Sequence, residues 1–304
     1  MNIVTVNLFK RPFHARLCLE ALARAQRWSA TVESKGWADV IAVCLAANAH
    51  EHVHVIAEAG GVIERNPDVP FEFWHASHTP SNPHAMSKWM LDKAFAAGAD
   101  MALYVEDDAV MAPDAFLMCE YVKQLQSYTH GLDYPSTQEE ADDNERMYRI
   151  GAGLLGCCLY HETIPAQYIA EGRPEGPDAR LLHLSNGLNT CGGTAFLRDP
   201  YLRYLSPRWN SKTLEPKGFD YSAHYLMYVN SLYMVWPDLS RSHNTGYELG
   251  SISQPNWAQY FGRSIWTHTA RAARDWREFR MDGAAPRRHM EPWMEAELRK
   301  DGLL

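Results

Sequence analysis

The chain has 304 residues, 46% hydrophobic and 22% charged, with a formal net charge of −8 at pH 7. That length allows one large α/β domain with a sizeable core, and no stretch approaches a membrane span. The acidic balance argues against a generic nucleic-acid binder, which is usually basic.

The elements follow in chain order. Ile3–Leu8 reads as an opening strand, so no signal peptide, stem or membrane anchor is expected ahead of the domain. Cys18, Leu22 and Ala25 then fall at helical spacing. Val40–Leu45 is a continuous apolar run of strand length, and Val53–Ala57 and Phe71–Trp74 are shorter strand candidates. Met86, Met90, Ala94 and Ala97 mark a helix face that Gly98 closes. A strand ending in Glu106-Asp107-Asp108 comes next. Ala115, Met118, Cys119, Val122 and Leu125 form another helix face. Repeated β-α-β units predict a doubly wound, mostly parallel sheet with helices on both faces.

After Gln126 the pattern weakens. Residues 133–146 and 171–178 read as loops, the first polar and acidic, the second rich in Gly and Pro. Ile150–Tyr160 suits a strand lining a pocket, and Tyr225–Trp236 a helix followed by a strand. The tail places Arg263, Arg271, Arg274, Arg277, Arg280, Arg287 and Arg288 among Trp266, Trp276 and Phe279. The six cysteines (Cys18, Cys44, Cys119, Cys157, Cys158 and Cys191) show no paired zinc spacing. Cys18, Cys44 and Cys119 have the apolar neighbours of reduced, buried thiols. A cytoplasmic protein is expected, in the host cell if a phage encodes it.

Leu103-Tyr104-Val105-Glu106-Asp107-Asp108 is the most informative stretch. A buried-strand pattern ends in three acids, and buried charge is costly unless paired or bound to metal. Acids at the carboxyl end of a strand in an α/β sheet sit where ligands bind. Mg²⁺ is often shared between one or two carboxylates and substrate phosphates. The competing reading is an exposed acidic turn before a helix opened by Pro113-Asp114. On the first reading Asp108 binds the metal, Asp107 reaches the ribose, and Glu106 takes a sugar hydroxyl or a structural role. A nucleotide-sugar transferase is the enzyme class that fits best.

Four more elements could serve such a site. Asn7 and Arg11, in the turn Thr5–Pro12, could hold a base and ribose. Asp220, in Leu214–Asp220, could take the acceptor hydroxyl proton, or be a helix N-cap. In Trp236–Gly246, Ser240 and Arg241 could contact a diphosphate. His243 there could be a second metal ligand or a loop histidine without one. Gly192 and Gly193 would let a sugar, or another backbone, approach closely. No dinucleotide fingerprint or phosphate-cradling loop is present.

Together and in order, these elements resemble the GT-A fold glycosyltransferases, in particular the N-acetylglucosaminyltransferase branch that initiates complex N-glycans. The resemblance is carried by Tyr104–Phe116, by Leu214–Lys217 before Asp220, and by Pro237–Gly246, and it spans roughly residues 2–250. It implies a hexosyl- or N-acetylhexosaminyltransferase with a UDP-sugar donor, Mn²⁺ or Mg²⁺ at a DXD-like motif, and inversion at the anomeric carbon. Where that branch has two acids in succession at the base, Asp220 is followed by Tyr221. The expected division is a nucleotide-sugar-binding half over 1–126 and an acceptor and catalytic half of the same domain over 127–260. A basic, aromatic-rich helical extension is expected over 261–304. The acceptor is expected to be a hydroxymethyl-pyrimidine in DNA, with Arg274 and Arg277 supplying phosphate contacts, or else a glycan or protein. A non-catalytic sugar-nucleotide-binding module and a nucleotidyltransferase are the readings from other classes.

Overall fold

The computed structural model describes residues 1–32, 35–46, 53–77, 83–128, 153–161, 177–190, 192–209, 219–246, 271–283, 286–288, 290 and 292–303. The stretches 133–146 and 171–176 that were read as loops, Cys191, Leu214–Gly218, Arg263 and Trp266 lie outside them.

The first half of the chain alternates strand and helix. β1 (Asn2–Asn7) leads to α1 (Pro12–Ser29), β2 (Val40–Leu45), α2 (Val53–Arg65), β3 (Phe71–His75), α3 (Pro83–Ala96) and β4 (Met101–Glu106). A short β5 (Ala109–Met111) precedes α4 (Ala115–Tyr128). β6 (Leu154–Cys158), β7 (Leu181–Ser185) and β8 (Thr194–Leu197) follow. Then come α5 (Phe219–Val229), β9 (Tyr233–Pro237), β10 (Ser242–Asn244), β11 (Arg280–Met281) and α6 (Pro292–Lys300).

Among the described residues, one sheet runs β11-β7-β9-β6-β8-β4-β1-β2-β3, and a separate ribbon pairs β10 with β5. β1, β2, β3 and β4 are mutually parallel in that block. β8 runs against both β4 and β6, and β7 against β9. The sheet is therefore mostly parallel, with β7, β8 and β11 reversed.

Strand alternation sends successive side chains to opposite faces. Val4, Ile41, Val43, Leu103 and Val105 pack under α1, α2 and α4, against Cys18, Leu22, Val62, Phe116 and Val122. Ile3, Ala42, Ala102 and Tyr104 pack on the other face, with Met90 and Ala94 of α3 and Leu226 and Met227 of α5. No described helix is long and apolar enough to cross a membrane.

Two readings change. Val53–Ala57 is the start of α2 and not a strand, because Val55, Ala59 and Val62 recur at helical spacing and are buried. The tail is not simply a helical extension: after the short turn Trp276–Glu278, β11 adds to the sheet edge beside β7.

Connectivity fixes where a ligand would sit. From β1 the chain winds outward to β2 and β3, then returns to β4 on the other edge of β1. The winding thus reverses between β1 and β4. In open α/β sheets the crevice outside the carboxyl ends at such a switch point is the ligand site. Asn7 and Glu106 are register partners at that edge.

Candidate functional site at the acid turn

β4 is fully buried through Val105, and Glu106 is largely but not fully buried. The chain turns at Asp107-Asp108 and continues as β5. Both aspartates are buried, at 2% and 4% exposure, so the exposed-acidic-turn reading does not hold. The ribbon pairs Asn244 with Ala109 and His243 with Val110, which draws the end of β10 over the acid turn. Thr245 N–H and Oγ1–H donate to the Asp108 carbonyl at 2.8 and 3.0 Å, and Asn244 Nδ2 donates to Asp108 Oδ1 at 3.4 Å. A Cβ at position 246 would stand 2.4 Å from Asp108 Oδ2, so Gly246 lets the loop close on the carboxylate.

The first turn of α1 grips the same acids. Arg11, at its N-cap, donates through one nitrogen to Asp108 Oδ2 at 2.7 Å and through the other to Asp107 Oδ1. Phe9 N–H reaches Asp107 Oδ2 at 3.4 Å. One helical turn after Arg11, buried His14 places Nδ1 2.7 Å from Thr245 Oγ1. Thr245 Oγ1 thus links His14 to the Asp108 carbonyl. His14, Asn244 and Thr245 were not singled out in the sequence. Spacing alone offered a signal for His14, since residues three apart share a helix face.

Charge is unbalanced here. Glu106 accepts a hydrogen bond from Tyr104 Oη at 3.2 Å. Its carboxyl is pushed up to about 8, first by burial and then by Asp108 and Asp107. Asp107 is raised to about 6 by burial, with Arg11 opposing and Asp108 adding to the rise. Arg11 is held above its ordinary value: burial works against its charge, and Asp107 and Asp108 outweigh that. Three acids around one guanidinium leave the turn short of positive charge.

The remaining candidates are placed elsewhere or otherwise engaged. Arg241 is fully buried, so its reading as a diphosphate contact is corrected. Its guanidinium donates to the carbonyls of Leu239 and Ala179, lies 3.2 Å from buried Asp114, and sits over the Phe279 ring at 5.2 Å. Ser240 is also buried. It donates to Ser242 O at 2.7 Å and accepts from His161 N–H at 3.1 Å. Both lie toward the far end of β10, with Arg241 about 10 Å of strand from Asn244. His243 alternates with Asn244, so its side chain leaves the opposite face of the ribbon from the one touching Asp108. No group of three or more His, Cys, Asp or Glu that could hold a metal occurs among the described residues.

Gly192 and Gly193 seat the ribbon on the sheet. A Cβ at Gly192 would meet Tyr160 Cβ at 2.3 Å and Ser242 Oγ at 2.5 Å. One at Gly193, where φ is +101°, would meet Met111 Cε at 2.7 Å. Arg274 stacks on Trp28 at 4.5 Å, and Arg277 pairs with Asp275 at 2.8 Å. Trp28 lies in the last turn of α1, about 25 Å along the helix from Arg11. Both arginines are exposed, and they lie remote from the acids. Asp220 is half-buried in the first turn of α5. Asn230–Leu232 link that helix to β9, which points the same way as β4, so Asp220 stands toward the carboxyl edge of the sheet.

A divalent cation can be tested against this donor set. Asp107 and Asp108 offer carboxylate oxygens to a hard cation, and Arg11 already stands there as a substitute cation. Asp107 and Asp108 together carry more negative charge than the one guanidinium of Arg11 balances. Two protein carboxylates suffice for Mg²⁺ when phosphate oxygens and water complete the shell. The set fits, with Asp108 and Asp107 as the holding residues and no role for His243.

No protein-family model matches the chain, and no curated protein matches it. Among solved structures, residues 1–349 of S. aureus TarS align with 82% of this chain at 8% identity, TM-score 0.42. A longer S. aureus TarS structure aligns with 80% at 9% identity, TM-score 0.41. A UDP-glucose pyrophosphorylase complexed with UDP-glucose aligns with 83% at 8% identity, TM-score 0.40, over 96% of its own length. The chain spans 62% of the first TarS structure and 36% of the second.

Proposed function

We propose that the chain is a glycosyltransferase that moves a sugar from a UDP-sugar to an acceptor hydroxyl, with Mn²⁺ or Mg²⁺ bound at Asp108 and Asp107. The observation that carries this reading is the position of the acids: two buried aspartates side by side at the switch point between β1 and β4. A packing role does not account for adjacent buried carboxylates that share one counter-ion. When bound, the cation would neutralise charge developing on the departing nucleoside diphosphate. Asn7 at the carboxyl end of β1 and Arg11 at the start of α1 would contact the donor. Glu106, beside Asp107 at the end of β4, is placed to hydrogen-bond a sugar hydroxyl. Asp220 is the candidate base on the acceptor side, with inversion as the expected outcome.

Arg274 and Arg277 lie away from the acid turn, so they add no support for a DNA acceptor. Modified DNA is retained as one acceptor to be tried beside glycans and proteins.

The test is a donor screen with Mn²⁺, reading nucleoside diphosphate release from activated sugars, with and without hydroxymethylcytosine DNA. Cation-dependent release from a UDP-sugar supports the transferase. Binding of a UDP-sugar without turnover would make the chain a binding module. Pyrophosphate release from a nucleoside triphosphate would make it a nucleotidyltransferase.

A further inference from the structure

Arg11 and a divalent cation require the same two carboxylates. Asp107 and Asp108 are nearly closed off from solvent, whereas the Arg11 side chain keeps 30% of its surface exposed. The guanidinium therefore has an outward path and the aspartates do not. We propose that Arg11 is an exchangeable counter-ion, which a divalent cation displaces from Asp107 and Asp108 and which then grips the donor diphosphate. The inference rests on the donor-site reading above.

Charge sets the order of events. With Arg11 across both aspartates the pair keeps a net negative charge, and an arriving diphosphate meets repulsion. Once a divalent cation sits on the pair the two charges are balanced. The planar guanidinium can then offer its paired N–H groups to phosphate oxygens, the geometry it matches best. Contacts other than Arg11 hold the aspartates through this exchange: Thr245 fixes the Asp108 main chain, Asn244 reaches its Oδ1, and Phe9 N–H reaches Asp107 Oδ2. Cation and donor are then positively coupled, each tightening the other by the same factor.

The experiment is a Mn²⁺ titration followed by electron paramagnetic resonance on the whole chain, with and without UDP. It compares wild type, Arg11→Ala, Arg11→Gln and Asp108→Asn, each checked for a cooperative melt. Both Arg11 variants are expected to bind Mn²⁺ alone about tenfold more tightly than wild type, because the competitor is gone. UDP is expected to tighten Mn²⁺ binding strongly in wild type and much less in those variants. Asp108→Asn is expected to lose the site. If wild type binds Mn²⁺ through Asp108 and the Arg11 variants bind it no better, the exchange is wrong and the donor site stands. If neither wild type nor the Arg11 variants bind Mn²⁺, both readings fall.

Discussion

Replacing Glu106 with Gln should make the protein more stable at alkaline pH and leave it unchanged in acid. A carboxyl whose folded value lies above its unfolded one holds its proton more tightly in the folded state. Its stabilising contribution is complete below the unfolded value and is lost as pH rises through the folded one. For Glu106 those values are 4.5 and about 8, and for Asp107 they are 3.8 and about 6. Without divalent cations the wild type should therefore lose stability steadily from about pH 5 to about pH 8. Each unit is worth 1.36 kcal/mol, so the full Glu106 displacement corresponds to about 5 kcal/mol. Part of that belongs to the charges of Asp107 and Asp108, and the residue is not fully enclosed, so about 2 kcal/mol is the expected gain. For a chain of 304 residues that is a rise of about 3 °C in melting temperature. Gln can still accept the Tyr104 hydroxyl, so packing is preserved. The assay is a series of thermal melts from about pH 5 to about pH 8 with chelator present. A Glu106→Gln curve parallel to wild type, or lower at about pH 8, would refute the electrostatic account of the turn.

Three other substitutions separate the site from its support. His14→Ala removes the bond to Thr245, and donor turnover should fall about 10- to 100-fold while the melting temperature drops only a few degrees; equal kinetics would show that the loop holds itself. Arg241→Met leaves Asp114 as a buried charge, so stability should fall by about 3 kcal/mol in urea unfolding. UDP affinity of the folded protein should stay near wild type, and a selective loss of that affinity would return Arg241 to the donor site. Gly246→Ala pushes a methyl onto the Asp108 carboxylate at a cost of about 1–3 kcal/mol. Calorimetry should find Mn²⁺ binding weakened or lost.

The central strands of the first half were legible because they are short apolar runs that end at a turn, as in Val40–Leu45 and Met101–Val105. The acid turn was legible because three carboxylates after such a run have no packing rationale. α2 was misread because Val53–Ala57, taken alone, has the β-branched content of a strand; only Ala59 and Val62 further on reveal the helical period. The ribbon was not legible at all. Ser242–Asn244 is short and polar, and its pairing with β5 spans more than a hundred residues of chain. That pairing decides which of two neighbours faces Asp108, so Asn244 could not be told from His243 beforehand. Arg241 was misassigned for a related reason. A guanidinium in a polar loop suggests an anion, but its partner, Asp114, approaches only through the fold.

A crystal structure of the protein grown with Mn²⁺ and UDP tests the central claim most directly. The expected result is the metal on Asp108, with the diphosphate against it beyond the carboxyl ends of β1 and β4 and Arg11 turned onto the phosphates. UDP bound elsewhere, or an acid turn still closed by Arg11 with no metal beside it, would contradict it.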